Sequence, residues 1–255
     1  IMLGYFLTDT EVGIYRVALQ LTTAATFITT ALHTTLYPKI SYWGKQNDLV
    51  SVERALARAF TYSLLLAVPV VLGGWILGER LLYFFYGEAF STGAGALAIL
   101  LLVQVVHVFM FLQTTCLNAL DRPRDSFRVT AVAVAANIGL NLYLIPAYGI
   151  VGASAATLVT MVLNAALAYY ALSRSIRVTI EPRSVGNIVL AALIMAVVLA
   201  AYSLVVPLSN VFVVLGAVAL GGLVYCLVLL RLDGGIHDEL KDLAGKLGLP
   251  WPGSL

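Results

Sequence analysis

The runs 186–206 and 211–230 contain no Asp, Glu, Lys or Arg. Each is about 20 residues long, enough to cross roughly 30 Å of hydrocarbon as a helix rising about 1.5 Å per residue. In lipid each backbone N–H and C=O must be bonded within the protein, and at this length a helix satisfies that demand. Five comparable runs precede these two, at residues 12–37, 59–79, 93–118, 127–146 and 150–172, and an apolar stub covers residues 1–7. Composition agrees, with 61% of residues hydrophobic and 11% charged, where soluble domains run near 45–50% and about 25%. The fold class is all-α, a polytopic helical membrane protein. The stub reads as the end of an eighth span, so the sequence is expected to be a piece of a longer chain.

The stretch NIGLNLYLIPAYGIVGASAAT, Asn137 to Thr157, fixes how two of these spans connect. Pro146 has no N–H to continue a helical ladder, so it closes the first span. Ala147, Tyr148 and Gly149 form a turn, with Gly149 free to adopt the backbone angles a reversal needs. Ile150 opens the next span, giving a helical hairpin whose loop carries no charge.

Lys and Arg set the orientation. The loop 38–58 carries Lys39, Lys45, Arg54 and Arg58, the loop 119–128 carries Arg122, Arg124 and Arg128, and the loop 173–185 carries Arg174, Arg177 and Arg183. The C-terminal tail adds Arg231, Lys241 and Lys246, so 13 of the 15 basic residues fall on one side, with Arg16 and Arg80 the exceptions. That side is expected to be cytoplasmic, with the tail on it. Within the tail, Ile236, Leu240, Leu243 and Leu247 recur at helical spacing among charged residues, which fits a helix lying on the membrane face. The segment 48–58 is a second candidate for such an interfacial helix.

No P-loop, dinucleotide fingerprint, HExxH or GxSxG motif occurs. The spacing of Cys116 and Cys226 supports neither a metal site nor a disulfide framework. Chemistry must therefore be sought among polar groups within the spans. At about 100° per residue, Arg16, Gln20, Thr23, Thr30 and Thr34 share one face of span 12–37, and Thr22, Thr26, Thr29 and His33 widen it on one side. So broad a polar face is costly against lipid, so it should line a hydrated cavity or a polar helix interface. Two readings fit Arg16, whose insertion mid-span costs about 2.5–3.5 kcal/mol. It snorkels or pairs with Asp9 or Glu11, or it binds an anion in a cavity. Span 93–118 repeats the pattern with Gln104, His107, Thr114, Thr115 and Asn118. Cavity-lining candidates are thus Arg16, Gln20, Thr23, Thr30, Gln104 and Asn118. His107 and His33 are candidates for a proton-linked role, against the plainer reading of neutral, hydrogen-bonded rings. Asn137, Asn141 and Asn164 read as polar helix-packing residues, alongside small residues that let helices approach closely.

Several blocks together carry a resemblance. TDTEVGIYRVALQL, LYPKISYW, LLYFFYGEAFSTGAGALAILLL, CLNALDRPRDSF and NLYLIPAYGIVGASAAT stand in this order along the chain. The sequence resembles polysaccharide-type flippases, Wzx-like carriers of O-antigen and other lipid-linked oligosaccharides, in the multidrug/oligosaccharidyl-lipid/polysaccharide exporter superfamily. The resemblance implies two six-helix lobes around a cavity, often followed by two extra helices. Residues 1–173 would then be a partial second lobe, 174–232 the two extra spans, and 233–255 a cytoplasmic tail with an amphipathic helix. It further implies transport of a polyprenyl-phosphate-linked or polyprenyl-pyrophosphate-linked sugar from the cytoplasmic to the outer leaflet of the plasma membrane. The implied partners are the lipid-linked glycan, the bilayer and the missing first lobe, with no cofactor, metal or nucleic acid.

Two alternatives compete with that function. A cation-coupled multidrug exporter would want carboxylates within the spans, and none lies in a span core here. A membrane-embedded enzyme acting on lipid-linked sugars would need a catalytic cluster at a membrane edge. Asp121 and Asp125 are the candidates, and they read better as turn and helix-cap residues.

Overall fold

Thr8 starts the first long element. Its hydroxyl accepts from the Glu11 N–H while the Glu11 carboxylate accepts from the Thr8 N–H at 2.9 Å, a reciprocal cap. In a computed structural model that describes residues 2–235, α1 is Met2–Phe6 and the capped helix is α2, Asp9–Thr22. A 3-10 turn over Thr23–Thr26 leads into α3, Phe27–Lys45. Then come α4 (Leu49–Tyr86), the short α5 (Glu88–Ser91), α6 (Ala94–Ala119), α7 (Pro123–Ser173), α8 (Pro182–Val205) and α9 (Val211–Leu232). Five of these helices, α4, α6, α7, α8 and α9, are long and apolar enough to cross a membrane. The expected amphipathic helix of the tail lies outside the described residues.

The expected single helix over 12–37 is broken. The Thr-rich segment LTTAAT turns its hydroxyls back on its own backbone: Thr22 donates to Leu19 O at 2.7 Å, Thr23 to Gln20 O at 2.7 Å, and Thr26 to Thr23 O at 3.1 Å. Such back-bonds compete with the helical ladder and bend it, which accounts for the tighter turn mid-span. The segment 48–58 also differs from expectation. It is the start of α4 itself, capped by Asp48, whose carboxylate accepts the Ser51 N–H at 3.2 Å and its hydroxyl at 2.6 Å. At 38 residues α4 extends about 57 Å, well beyond the hydrocarbon thickness, so part of it must stand outside.

The hairpin expected at Pro146 and Gly149 is present. Helical backbone runs along α7 except at Gly149, whose φ is 58° and ψ −136°. The two limbs, residues 123–148 and 150–173, fold back on each other: Asn137 Nδ2 donates to Thr160 Oγ1 at 3.0 Å although 23 residues separate them. A straight helix would put that pair about 34 Å apart. Gly152 sits where the limbs meet, and a Cβ there would stand 1.9 Å from Leu144 O.

Three apolar cores hold the helices together. Leu56, Phe60, Leu112 and Leu117 join α4 to α6 toward the basic end, with Ile40 of α3. Tyr15, Leu82, Leu97, Leu100 and Ile145 join α2, α4, α6 and α7 toward the other end. Ile188, Met195 and Leu199 of α8 and Ala217 and Tyr225 of α9 pack on Leu77 of α4. Tyr225 also donates its hydroxyl to Leu65 O at 2.7 Å, fastening α9 to α4. The two polar-poor final helices therefore lie against one side of α4, away from the α2–α3 face.

Candidate functional site

The polar residues of α2 and α3 divide into two sets. Thr22 and Thr29, expected to widen the polar face, are buried, with no measurable exposure. Arg16, Gln20, Thr23, Thr30 and Thr34 remain exposed along the helix pair, with Leu19 and Phe27 exposed between them. Along this strip Thr23, Thr30 and Thr34 keep their hydroxyl hydrogens on local carbonyls, Thr30 on Thr26 O at 3.1 Å and Thr34 on Ala31 O at 2.8 Å. Their oxygen lone pairs stay available as acceptors. The guanidinium of Arg16 forms no ion pair among the described residues. Pairing with Asp9 or Glu11 is not seen. Glu11 is committed to Thr8, whose N–H and hydroxyl hold its carboxyl below the usual range. One free cation thus heads a strip of hydroxyls and one amide.

Gln104 of α6 is buried, and its Nε2 donates to Thr22 Oγ1 at 2.8 Å. The Thr22 hydroxyl in turn donates to Leu19 O, so a chain of two bonds ties α6 to the start of the 3-10 turn. This places Gln104 at a helix interface rather than on the exposed strip. Asn118 is exposed at the last turn of α6. His33 and His107 are both half-buried, and both rings meet Phe111, at centroid distances of 5.2 and 5.4 Å. His33 also lies 5.8 Å from the Tyr37 ring. Nδ1 of His107 is buried without a hydrogen-bond partner, as is Thr29 Oγ1. Phe111 and Tyr37 carried no signal in the sequence beyond ordinary apolar spacing.

Asn137 bridges the α7 limbs through Thr160, and Asn141 Nδ2 donates to Asn137 O at 2.9 Å and to its Oδ1 at 2.8 Å. Asn164 is buried, with Oδ1 unpartnered. At the basic end, Arg122 pairs with Asp125 at 2.6 Å and donates to Ala171 O at 3.1 Å and to the Ser175 hydroxyl, joining the α6–α7 turn to the far end of the second limb. Asp121 is a turn residue with φ 59°. Asp121 thus serves the turn through its backbone, and the Asp125 carboxylate is tied to Arg122, while no side chain caps the start of α7. Among the described residues no group of His, Cys, Asp and Glu could hold a metal ion.

The molecule is a polytopic helical membrane protein with a hydroxyl- and arginine-bearing strip exposed along one broken helix. Comparison with known proteins identifies the family: the chain belongs to the lipid II flippase MurJ family, whose model matches residues 3–221. It is 32% identical over 249 residues to the probable flippase AglR of Haloferax volcanii, covering 96% of this chain and 52% of that protein. It is 29% identical to the probable low-salt glycan biosynthesis flippase Agl15 of the same organism, covering 96% of this chain and 51% of that protein. A solved structure of lipid II flippase MurJ, in an inward closed conformation, superposes with a TM-score of 0.71 at 18% identity over 87% of this chain and 47% of that one. This last match speaks for the fold. The chain spans about half the length of the curated relatives it matches.

Proposed function

We propose that the protein containing this chain flips a polyprenyl-phosphate-linked or polyprenyl-pyrophosphate-linked glycan from the cytoplasmic to the outer leaflet of the plasma membrane. The observation that carries this reading is the strip headed by Arg16. A guanidinium, an amide and a ladder of hydroxyls lie exposed on a helix pair of membrane-spanning length, with no partner for Arg16 among the described residues. Unpaired in hydrocarbon such groups are costly. Facing a hydrated path they suit an anionic phosphate and a polyhydroxylated sugar. The family membership and the two flippases of matching sequence support the same conclusion.

In this reading residues 1–173 are part of a second lobe, and the other lobe closes the far wall of the path. The two final spans stand outside it. The basic ends of the spans face the cytoplasm, following the distribution of Lys and Arg. Arg16, Gln20, Thr23, Thr30 and Asn118 are the proposed substrate-facing groups. Gln104 acts by holding α6 to the 3-10 turn, where a change in lobe packing would reach the strip. The lipid tail stays in the bilayer while the lobes alternate access to the polar path. No covalent step is needed, so the protein is read as a transporter and not an enzyme.

The test is reconstitution of the full-length protein in proteoliposomes with a labelled lipid-linked oligosaccharide. Movement to the opposite leaflet above that in protein-free liposomes supports the proposal. Its absence, in protein shown to be folded, with several glycan and carrier lengths, rejects it.

A further inference from the structure

The α3–α4 hairpin encloses a cleft of about 250 Å³ at the basic end of the molecule. Lys39 reaches it from α3, and Arg54 and Arg58, one turn apart, reach it from α4. No carboxylate lines it. None of the three cations forms an ion pair among the described residues. The acids nearby are engaged elsewhere. Glu53 accepts the Arg177 N–H at 2.6 Å, on the side of the α7–α8 loop. Asp48 caps α4 through Ser51, and Arg54 adds only a weaker pull on its carboxyl. Arg58 and Tyr62 also border a smaller neighbouring cleft of about 110 Å³ that is lined by Glu181 and Asp233.

The rest of the cleft is apolar. Leu32 and Leu36 form one wall and Ala55 and Ala59 another, continuous with the α3–α4–α6 core. Trp43 and Tyr62 line it as well, aromatic residues of the kind that sit at the level of lipid headgroups. A cleft lined by three cations interleaved with apolar side chains offers contacts to a molecule that carries both a phosphate and a chain. Basic pockets between spanning helices bind phosphate headgroups for this reason.

We propose that Lys39, Arg54 and Arg58 form a binding site for a phosphate-bearing lipid headgroup in the leaflet facing the basic ends. The site is distinct from Arg16, which stands on α2: it lies along the second half of α3, from Leu32 to Trp43, and the start of α4. It rests on the orientation proposed above but not on flipping. The headgroup belongs either to an acidic bilayer phospholipid or to the polyprenyl carrier.

The experiment uses the full-length protein in zwitterionic nanodiscs. Retention of short-chain phosphatidylglycerol, a polyprenyl monophosphate, phosphatidylcholine and inorganic phosphate is compared by native mass spectrometry across a concentration series. The wild type is expected to retain at least one phosphate lipid in preference to phosphatidylcholine, more weakly as salt rises. Removing a basic group near the surface weakens such binding about fivefold, so the double variant R54Q/R58Q should lose about thirtyfold. R54K/R58K should restore most of it. Arg128→Gln, an exposed Arg on another helix, should leave retention unchanged, and thermal midpoints confirm that all variants are folded. Retention of phosphatidylglycerol would mark a bilayer lipid, and retention of polyprenyl phosphate alone would mark the carrier. Unchanged retention in R54Q/R58Q, an equal loss in Arg128→Gln, or competition by inorganic phosphate at the same concentrations as the lipids would each overturn the proposal. Headgroup retention without flipping would reject only the transport reading, and flipping without retention only this one.

Discussion

Asn137 on the first limb of α7 donates to Thr160 on the second at 3.0 Å, and that bond spans the reversal at Gly149. The same closure leaves no room at Gly152, where a Cβ would stand 1.9 Å from the Leu144 carbonyl. Gly152→Ala should therefore force the limbs apart and lower stability by about 1–3 kcal/mol, the usual cost of overpacking. A double-mutant cycle on Asn137→Ala and Thr160→Ala should give a coupling of about 0.6 kcal/mol, typical of interhelical bonds in membranes. Unfolding of the purified protein in detergent measures both. A Gly152→Ala variant as stable as wild type would mean the limbs are not so closely packed.

Gln104 is expected to act through packing. Gln104→Leu leaves the Thr22 oxygen without its donor and should lower the thermal midpoint, at a cost of about 0.6–1.7 kcal/mol. Thr22→Val should lower it similarly, and the pair together should cost less than the sum. Additive losses would separate the two residues.

The exposed strip can be mapped by cysteine accessibility. Cys116 is buried but Cys226 is exposed, so the background needs Cys226→Ser. In the full-length protein, Thr23→Cys and Thr30→Cys should react with a water-soluble maleimide, as the proposed hydrated path requires. Ala25→Cys, at a position with no measurable exposure, should not. Reaction at Ala25 but not at Thr23 would reverse the assignment of faces.

The start of α4 should weaken in acid. Asp48 is held below the usual carboxylate range by the Ser51 hydroxyl and N–H, with Arg54 assisting. A lowered folded-state pKa contributes stability above the ordinary Asp value, and that stability is lost as pH falls through the folded value. Hydrogen exchange at the first turn of α4 should therefore accelerate below the ordinary Asp range, and Asp48→Asn should largely remove that dependence. Exchange independent of pH beyond the intrinsic chemistry would show that the cap contributes little.

The spans were legible because length and hydropathy decide them, and the α7 hairpin because Pro146 and Gly149 act locally. The break at Thr23–Thr26 was not, since Thr is tolerated within helices. Only the mutual arrangement of hydroxyl back-bonds, with Gln104 seated on Thr22, makes the tighter turn prevail. The wheel placed Thr22 and Thr29 beside the exposed face, but tertiary packing against α6 and α4 drew them inside. The meeting of His33 and His107 on Phe111 depends on how α3 crosses α6, which no spacing within either helix encodes. Likewise Lys39, Arg54 and Arg58 read only as topology signals until the hairpin brought them to one cleft.

The most direct test of the central claim is transport by Arg16→Gln in the full-length protein, reconstituted beside wild type at equal amounts of folded protein. The substitution keeps length and polarity while removing the charge that heads the strip. The variant should insert and fold normally but move the labelled lipid-linked oligosaccharide no faster than empty liposomes do. Transport at the wild-type rate would contradict the claim, and Arg16 would then have no part in carrying the anionic substrate.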